Sequence, residues 1–299
     1  MQQWEEKLIS LYLYISENKA IKNYLQNIRQ SNNYLPAFTD EEAITIYLYG
    51  VHQKRTTVKE IYRYIDQHLK DWFPALPSYQ AFDNRLNILA GAFGVLANEF
   101  VKQGTVGLNF VGESILDSLP ILVAGNRRSS SACVAKGLCD KGYCSSKGMY
   151  YYGLKLHLLG FVRPGTIPMP ECFGLTGASE NDLTVARPWL ENLYNRKVYA
   201  DKIYCDTDFN FQLDNHNNTK IITPIKKRKG QKLEDAADNL YSKAVSGIRQ
   251  PVESFFNWLI ERTGIQIAVK VRSTKGLLVH VWGKFAAAMC ALCLTIFNP

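Results

Sequence analysis

The stretch Tyr150-Tyr-Tyr-Gly-Leu-Lys-Leu-His-Leu-Leu-Gly160 decides the fold class of this chain of 299 residues. Its leucines alternate with Lys155 and His157, and an alternation of period two is typical of a β-strand. Other strand-like segments lie before and after it. They are 108–119, 172–176, 197–201 and 220–224. Together these segments predict a sheet.

Helical patterns separate and follow the strands. We predict a helix over 182–194, a second one from Arg249 onward and a last one from about 276 to 297. The segment 126–149 is rich in Gly, Ser, Lys and Arg, and it is predicted to be a long loop or a hairpin. This order of elements indicates an α/β or α+β fold, with a mixed sheet flanked by helices.

The helix after Arg249 carries a carboxylate, Glu253, close to its predicted start. Pro251 is compatible with the first turn of a helix, because backbone N–H groups in that turn have no hydrogen-bond acceptor within the helix. An acid in that turn stabilises the helix dipole without any further function. Asp117 and Asp201 each lie near the end of an apolar strand, and a buried carboxylate is costly unless it has partners.

Residues 1–105 are predicted to form a helical domain. Thr39 and Thr57 each precede a glutamate by three residues, which is the capping-box pattern, and Gly50 is expected to close the first of these helices. Two short helices are predicted around residues 57–86. They could form a helix-turn-helix DNA-binding motif or part of a helical bundle, and both interpretations remain open. The DNA-facing side chains would be Ser78, Tyr79, Gln80 and Arg85.

The formal net charge of +8 comes from one part of the chain. Basic and acidic residues balance over 1–216, whereas 217–299 contains 13 basic and 5 acidic residues. Such a concentration of positive charge predicts a polyanionic partner, with nucleic acid the leading candidate. A general solubility effect is the alternative.

The seven cysteines do not form a disulfide framework, and the N-terminus lacks an apolar signal core. The apolar run 285–297 is too short to span a bilayer. We therefore expect a cytoplasmic protein without a membrane partner.

Asp117, Asp201 and Glu253 are candidate ligands of Mg²⁺ or Mn²⁺, because these hard cations prefer carboxylate oxygens. Two such ions about 3.5–4 Å apart would suit phosphodiester chemistry. Spacing alone does not select these acids, since the chain has 27. The competitors Asp182, Asp206 and Asp208 are more simply explained as residues that start or cap helices.

Five motifs, taken in order, resemble those of bacterial insertion-sequence DDE transposases. They are Leu116-Asp-Ser-Leu-Pro-Ile121, Tyr151-Tyr-Gly-Leu-Lys-Leu-His157, Leu175-Thr-Gly-Ala-Ser-Glu-Asn-Asp182, Tyr199-Ala-Asp-Lys-Ile-Tyr204 and Arg249-Gln-Pro-Val-Glu-Ser-Phe-Phe256. The resemblance implies a ribonuclease H-like catalytic domain over 106–299, with a basic insertion near 225–245. It also implies that Asp117, Asp201 and Glu253 are the catalytic, metal-binding triad, holding two ions.

The sequence departs from that family at three supporting positions. A glycine is common where Ile203 stands, a tyrosine where Ser246 stands and a lysine where Ile260 stands. These differences concern contacts around the triad.

The implied partner is DNA, both the terminal repeats of the element and the target, and a homodimer is expected in the DNA complex. Cleavage at the element ends would free a 3′-hydroxyl that joins target DNA, in a protein associated with the nucleoid. The alternatives are a metal-dependent nuclease or resolvase of the same fold, and a DNA-binding protein whose catalysis has lapsed. Further predicted DNA contacts are Lys155, His157, Lys202, Lys226, Lys227, Arg228, Lys229 and Arg249.

Overall fold

The computed structural model describes residues 3–29, 36–107, 112–145, 147–226 and 235–294. Contacts divide the chain into two compact units. The helical unit comprises Met1–Val106 together with Leu259–Pro299, and the sheet unit comprises Gly107–Trp258. We predicted that residues 259–299 belong to the catalytic domain. In the structure, the last helix packs against helices of the N-terminal region. Its apolar surface is buried there.

Within the described ranges the chain forms eleven α-helices. They are α1 (Gln3–Glu17), α2 (Lys19–Ile28), α3 (Asp40–His52), α4 (Val58–His68), α5 (Tyr79–Ile88), α6 (Ala90–Thr105), α7 (Asp182–Leu190), α8 (Thr207–Asn217), α9 (Ala236–Thr263), α10 (Thr274–Leu278) and α11 (Lys284–Cys293). A π-helical turn, Val279–Gly283, joins α10 to α11. In the helical unit, α11 packs against α3 and α6.

The two predicted capping boxes are confirmed. Thr39 and Thr57 each accept a hydrogen bond from the backbone of the glutamate three residues on, and that glutamate accepts one in return. Ser78 caps α5 in a similar way, through the backbone N–H of Ala81. Gly50 lies inside α3 and does not close it. A Cβ at this glycine would lie 2.5 Å from Cγ2 of Ile61, so α4 packs closely against it.

The sheet has six strands among the described residues. They are β1 (Glu113–Ala124), β2 (Asp140–Cys144), β3 (Met149–Phe161), β4 (Met169–Gly177), β5 (Lys197–Ala200) and β6 (Lys220–Ile222). Their order is β2-β3-β1-β5-β6, and β4 also pairs with β3. β1, β5 and β6 are parallel, while β3 is antiparallel to β1, β2 and β4. This mixed sheet, flanked by helices and preceded by a helical region, is the predicted ribonuclease H-like fold.

The first strand is longer at its C-terminal end than predicted, so Asp117 lies within β1 and not at its end. β3 pairs with β1 as far as Ala124, which holds the strand extended. β5 pairs with β1 only as far as Leu116. Pro120 therefore lies beyond the part of β1 that pairs with β5, where its missing N–H costs no hydrogen bond to that strand. The segment 126–149 contains β2, which forms a hairpin with β3.

The helix that carries Glu253 begins earlier than predicted. α9 starts at Ala236, so Pro251 and Glu253 both lie in its interior. Pro251 resembles a helix start in sequence, because proline is common there. It removes the hydrogen bond that residue 251 would donate to the Gly247 carbonyl, and the helix continues on both sides.

The segment Thr274–Cys293 is long and apolar enough to cross a membrane by length and composition. Its most apolar window is 67% buried inside the protein, and core helices of proteins without membrane segments have the same property. Cys290 is among the fully buried residues of this segment.

Candidate functional site

The register of the sheet places two of the three predicted triad residues side by side. Leu116 of β1 pairs with Ala200 of the parallel strand β5, and this is the last pair between them. Asp117 and Asp201 are the residues that follow on each strand. Since paired positions of parallel strands lie next to each other, Asp117 within β1 and Asp201 just after β5 are neighbours.

Arg249 connects Asp117 to the third acid. Its Nη1 lies 2.7 Å from Oδ2 of Asp117, and its Nη2 lies 2.9 Å from Oε1 of Glu253. Arg249 and Glu253 are separated by one turn of α9, so both face the same side of the helix. One guanidinium therefore forms ion pairs with both Asp117 and Glu253, and contact of Arg249 with DNA remains a prediction.

Burial raises the pKa of Asp117 to about 6. The charge of Arg249 and the backbone N–H of Ser118 lower it, while repulsion from Asp201 and Asp182 raises it further. The Ser118 N–H lies 2.8 Å from Oδ1 of Asp117. Asp117 thus lies where negative charge accumulates and where a cation is strongly favoured.

Asp182 forms an internal polar network next to Asp117. Its Oδ1 lies 2.8 Å from the Lys155 ammonium, and its Oδ2 accepts a hydrogen bond from Ser118 at 3.1 Å. His157 is fully buried beside it, with Nδ1 at 3.9 Å from Oδ1 of Asp182 and Nε2 at 2.7 Å from the Thr176 hydroxyl. Burial lowers the pKa of His157 to about 4, so the ring is neutral at pH 7.

This network changes the interpretation of three residues. Asp182 is the first residue of α7, as predicted, but it is also buried and bonded to the neighbour of Asp117. Lys155 and His157 face Asp182 in this structure, and their contact with DNA remains a prediction. The spacing of two residues between Lys155 and His157 predicted that they share one face of β3. It did not predict their partner Asp182, which lies 25 or more residues away in the sequence.

Tyr204 is a site residue that the sequence reasoning did not single out. A 3-10 turn, Lys202–Tyr204, follows Asp201 and buries the Tyr204 side chain. Burial, with the nearby charges of Asp182, Asp117 and Asp201, raises the pKa of its hydroxyl well above the ordinary value. Among the described residues, that hydroxyl has no hydrogen-bond partner. The only sequence signal was its position three residues after Asp201.

The other predicted DNA contacts occupy varied environments. Ser78 caps α5, Gln80 is exposed, and Arg85 forms an ion pair with Asp40. Lys202 is half-buried beside Asp201, and Lys226 is exposed. Lys227, Arg228 and Lys229 lie outside the described residues. DNA contact by any of these side chains remains a prediction.

The donor chemistry of the site fits a divalent cation. Asp117, Asp201 and Glu253 would supply only carboxylate oxygens, the ligands that Mg²⁺ and Mn²⁺ prefer. Within the described ranges, however, no three His, Cys, Asp or Glu side chains are grouped closely enough to hold a metal. Arg249 lies between Asp117 and Glu253 and provides the positive charge. A cation held by all three acids would have to take the place of this guanidinium.

Asp206 and Asp208 have other roles. Asp206 caps α8 through the backbone N–H of Phe209 and pairs with Arg187 at 2.8 Å. Asp208 is exposed in the first turn of that helix. A cavity of about 720 Å³ in the helical unit contains none of the triad residues. The chemistry of the acids, and not the size of a cavity, locates the candidate site.

Comparison with known proteins identifies the family of the chain. The family model described as the transposase DDE domain matches residues 108–270, more than half of the chain. No curated protein and no solved structure is significantly similar to the chain. Proteins with this domain are DNA transposition enzymes, and they generally use divalent metal ions. The chain belongs to the family of transposase DDE domains.

Proposed function

We propose that this DNA transposase cleaves DNA at the ends of an insertion sequence and joins the freed 3′-hydroxyl to target DNA, with Asp117, Asp201 and Glu253 as catalytic metal ligands. The observation that carries the proposal is the register of β1 and β5, which brings Asp117 beside Asp201. The contacts of Arg249 with Asp117 and Glu253 add the third acid.

The reaction has two phosphoryl transfers. Water attacks the phosphorus at the element end, the bond to the 3′-oxygen breaks, and a 3′-hydroxyl and a 5′-phosphate result. That hydroxyl then attacks a phosphodiester of the target, and one new phosphodiester replaces the one that breaks. Divalent ions, when bound, supply activation of the attacking oxygen and stabilisation of the leaving oxygen.

The chain's own residues prepare the site for these steps. Asp117 lies in β1 and Asp201 directly follows β5, so the pairing of the two strands fixes their separation. Ser118 orients Asp117 through its backbone N–H, and it also bonds Asp182, so the loop of polar contacts restricts the Asp117 side chain. The positive charge of Arg249 compensates the negative charges of Asp117 and Glu253 when no divalent cation is bound. Glu253 is exposed on α9 and is free to turn toward a cation once the guanidinium moves.

The wider assembly is also part of the proposal. The helical region up to residue 105 would bind the terminal repeats, with Ser78, Gln80 and Arg85 as candidate contacts. Lys202, Lys226 and the basic residues after it would contact the DNA backbone near the acids. Two copies of the chain would pair the two element ends, in the cytoplasm and on the nucleoid.

A strand-transfer assay tests this function. The full chain is incubated with duplex DNA from the flanks of its own gene, a supercoiled target plasmid, and Mg²⁺ or Mn²⁺. We expect cut ends with 3′-hydroxyls and a joined product, neither of which Asp201→Asn produces. Cut ends without a joined product would indicate a nuclease or resolvase and contradict the proposal. DNA binding without cleavage in the wild type would indicate a protein whose catalysis has lapsed.

A further inference from the structure

The cavity of about 720 Å³ in the helical unit has the volume of a small-molecule site. The buried part of its wall is made of aliphatic and aromatic side chains together with one lysine. These residues are Tyr47, Leu86, Ala268, Val279 and Lys284. Ile267 and Val269 are exposed and line its outer part. The cavity therefore offers an apolar interior that contains a single buried cation.

Lys284, the first residue of α11, is the unusual member of this wall. The residue is only 2% exposed, and lysine is rarely buried so completely unless it has an ion-pair partner. Among the residues that the structure describes, no carboxylate forms an ion pair with it. Its Nζ donates one hydrogen bond, to the Gly264 carbonyl at 3.2 Å. An ammonium has three N–H donors, so the described contacts use only one of them.

The charge of Lys284 is poorly compensated by its surroundings. Burial lowers the pKa of Lys284 to about 8, and the charge of Glu60 opposes this shift. The Glu60 carboxylate accepts hydrogen bonds from the backbone N–H groups of Thr56 and Thr57, so it is held at the start of α4. Lys284 is mostly protonated at pH 7, and an anion beside it would offset the cost of burying its charge.

The charges along the cavity also favour an anion. Lys59, Lys270, Arg272 and Lys284 line it, and Asp83 is the one acid among the described lining residues. The first three of these cations are exposed, so Lys284 alone places a positive charge against the apolar interior. A ligand with one negative charge matches one buried ammonium. A charged group without apolar surface would leave the remaining wall without a partner.

We propose that this cavity binds a small molecule with an apolar body and a single carboxylate, which lies at the ammonium of Lys284 while the body packs against Leu86, Ala268 and Val279. The inference goes beyond the proposed function, because the three acids take no part in it. A phosphate is the less suitable head group, since it carries up to two charges. A DNA duplex is less suitable still, because its backbone cannot bring a phosphate to a lysine that is buried inside a cavity.

Isothermal titration calorimetry of the full chain, without DNA or divalent metal, tests the ligand class. The probes are naphthoate, its neutral amide naphthamide, and naphthyl phosphate. The first two have the same apolar rings and differ in the charge of the head group. Naphthoate should bind at least about tenfold more tightly than naphthamide, the effect of one charge-assisted hydrogen bond. It should also bind more tightly than naphthyl phosphate.

Substitution of the lysine tests its role directly. Lys284→Met keeps the length of the side chain and removes the charge, so it should weaken naphthoate binding by about tenfold and leave naphthamide binding unchanged. Lys22→Met is the matched control, because Lys22 is exposed on α2 and does not line the cavity. This control should bind both probes as the wild type does. Melting curves of both variants establish that they are folded.

A second pair of variants leaves the buried lysine in place. Val269→Asp puts a carboxylate on the exposed margin of the cavity, and it should weaken naphthoate binding by about threefold at low salt through repulsion. Val106→Asp makes the same change at an exposed position outside the cavity and should have no effect. Should Lys284→Met fail to fold, this pair decides the question.

The outcomes either support or overturn the inference. A wild type that does not bind naphthoate, or that binds naphthamide equally well, would overturn it. Naphthoate binding that neither Lys284→Met nor Val269→Asp weakens would place the ligand elsewhere and also overturn it. Tighter binding of naphthyl phosphate would show that the carboxylate is the wrong head group. If duplex DNA displaces naphthoate and Lys284→Met weakens the duplex, the cavity belongs to a DNA interface and the small-molecule assignment is wrong.

Discussion

Asp117 lies among competing charges, and Arg249 is the residue that balances them. The guanidinium contacts Asp117 and Glu253, while Asp201 and Asp182 repel the Asp117 carboxylate. A divalent cation at this position would take over the favourable contacts of the arginine. We therefore expect a divalent cation and Arg249 to compete for the same acids.

Arg249→Met tests this competition through stability. Without Mg²⁺ we expect a loss of about 2 kcal/mol, because two charge-assisted hydrogen bonds disappear. Added Mg²⁺ should raise the melting temperature of the variant more than that of the wild type, since no guanidinium has to be displaced. Arg187→Met is the control, because it breaks another partly exposed Arg–Asp pair and leaves the acids unchanged. An equal response to Mg²⁺ in wild type and Arg249→Met would contradict the competition.

The Lys155–Asp182 pair should behave as a coupled unit. Its side chains are only 13% and 10% exposed, so Asp182→Asn leaves a largely buried ammonium without its carboxylate. We expect a cost of about 3 kcal/mol for that variant, at the low end for a broken buried pair. The double variant Lys155→Met with Asp182→Asn should cost at least about 1 kcal/mol less than the sum of the single changes. Urea unfolding measures this, and additive changes would show that the pair is not coupled.

At the scale of elements, glycines in two helices show how context decides the effect of one residue type. Gly50 lies where α3 packs against Ile61 of α4, while Gly247 of α9 has open space beside it. The same added methyl group therefore meets a neighbour in one helix and none in the other.

The two alanine substitutions should have opposite signs. Gly50→Ala should destabilise the protein by about 1–3 kcal/mol, because the new Cβ overpacks the contact with Ile61. Gly247→Ala should stabilise it by about 0.5–1 kcal/mol, the ordinary preference of a helix for alanine. Urea unfolding of both variants is the measurement. Changes in the free energy of unfolding that have the same sign in both variants would contradict the difference in packing around the two glycines.

Much of the fold followed from local patterns. The alternation around Lys155 predicted β3, and the threonine–glutamate spacing predicted the starts of α3 and α4. The predicted start of α9, near Arg249, was wrong. In this chain Pro251 lies in the helix interior, although a proline is also compatible with the first turn. Contacts between distant segments left no local trace. The bonds of Asp182 with Lys155 and Ser118 and the burial of Tyr204 depend on tertiary packing.

On the scale of the whole chain, the helical unit contains two histidines that burial keeps neutral. Burial lowers the pKa of His52 to about 3, and the charges of Arg262 and Lys7 lower it further. Burial and the charge of Lys284 lower the pKa of His280 to about 3 as well. Between pH 3 and 6.5 the unfolded chain binds protons at these histidines that the folded chain does not, so stability falls as pH falls below 6.5.

The expected loss is about 2 kcal/mol for each histidine between pH 7 and pH 5. His280→Gln should remove about that much of the pH dependence, since glutamine does not titrate. His216→Gln changes an exposed histidine and should leave the dependence unchanged. Urea unfolding at the two pH values measures both. A pH dependence that His280→Gln does not reduce would mean that His280 is protonated in the folded protein.

Asp117, beside Asp201 and linked to Glu253, is proposed to serve a metal-dependent cleavage of DNA. The most direct measurement is the Mg²⁺-dependent rate of cleavage of the element-end DNA by the wild type, Asp117→Asn and the control Asp208→Asn, with folding checked by circular dichroism. We expect Asp208→Asn to cut at the wild-type rate. Asp117→Asn should be slower by about 10³-fold or more, since metal assistance supplies several kcal/mol to the transition state. A folded Asp117→Asn that cuts at the wild-type rate would contradict the account.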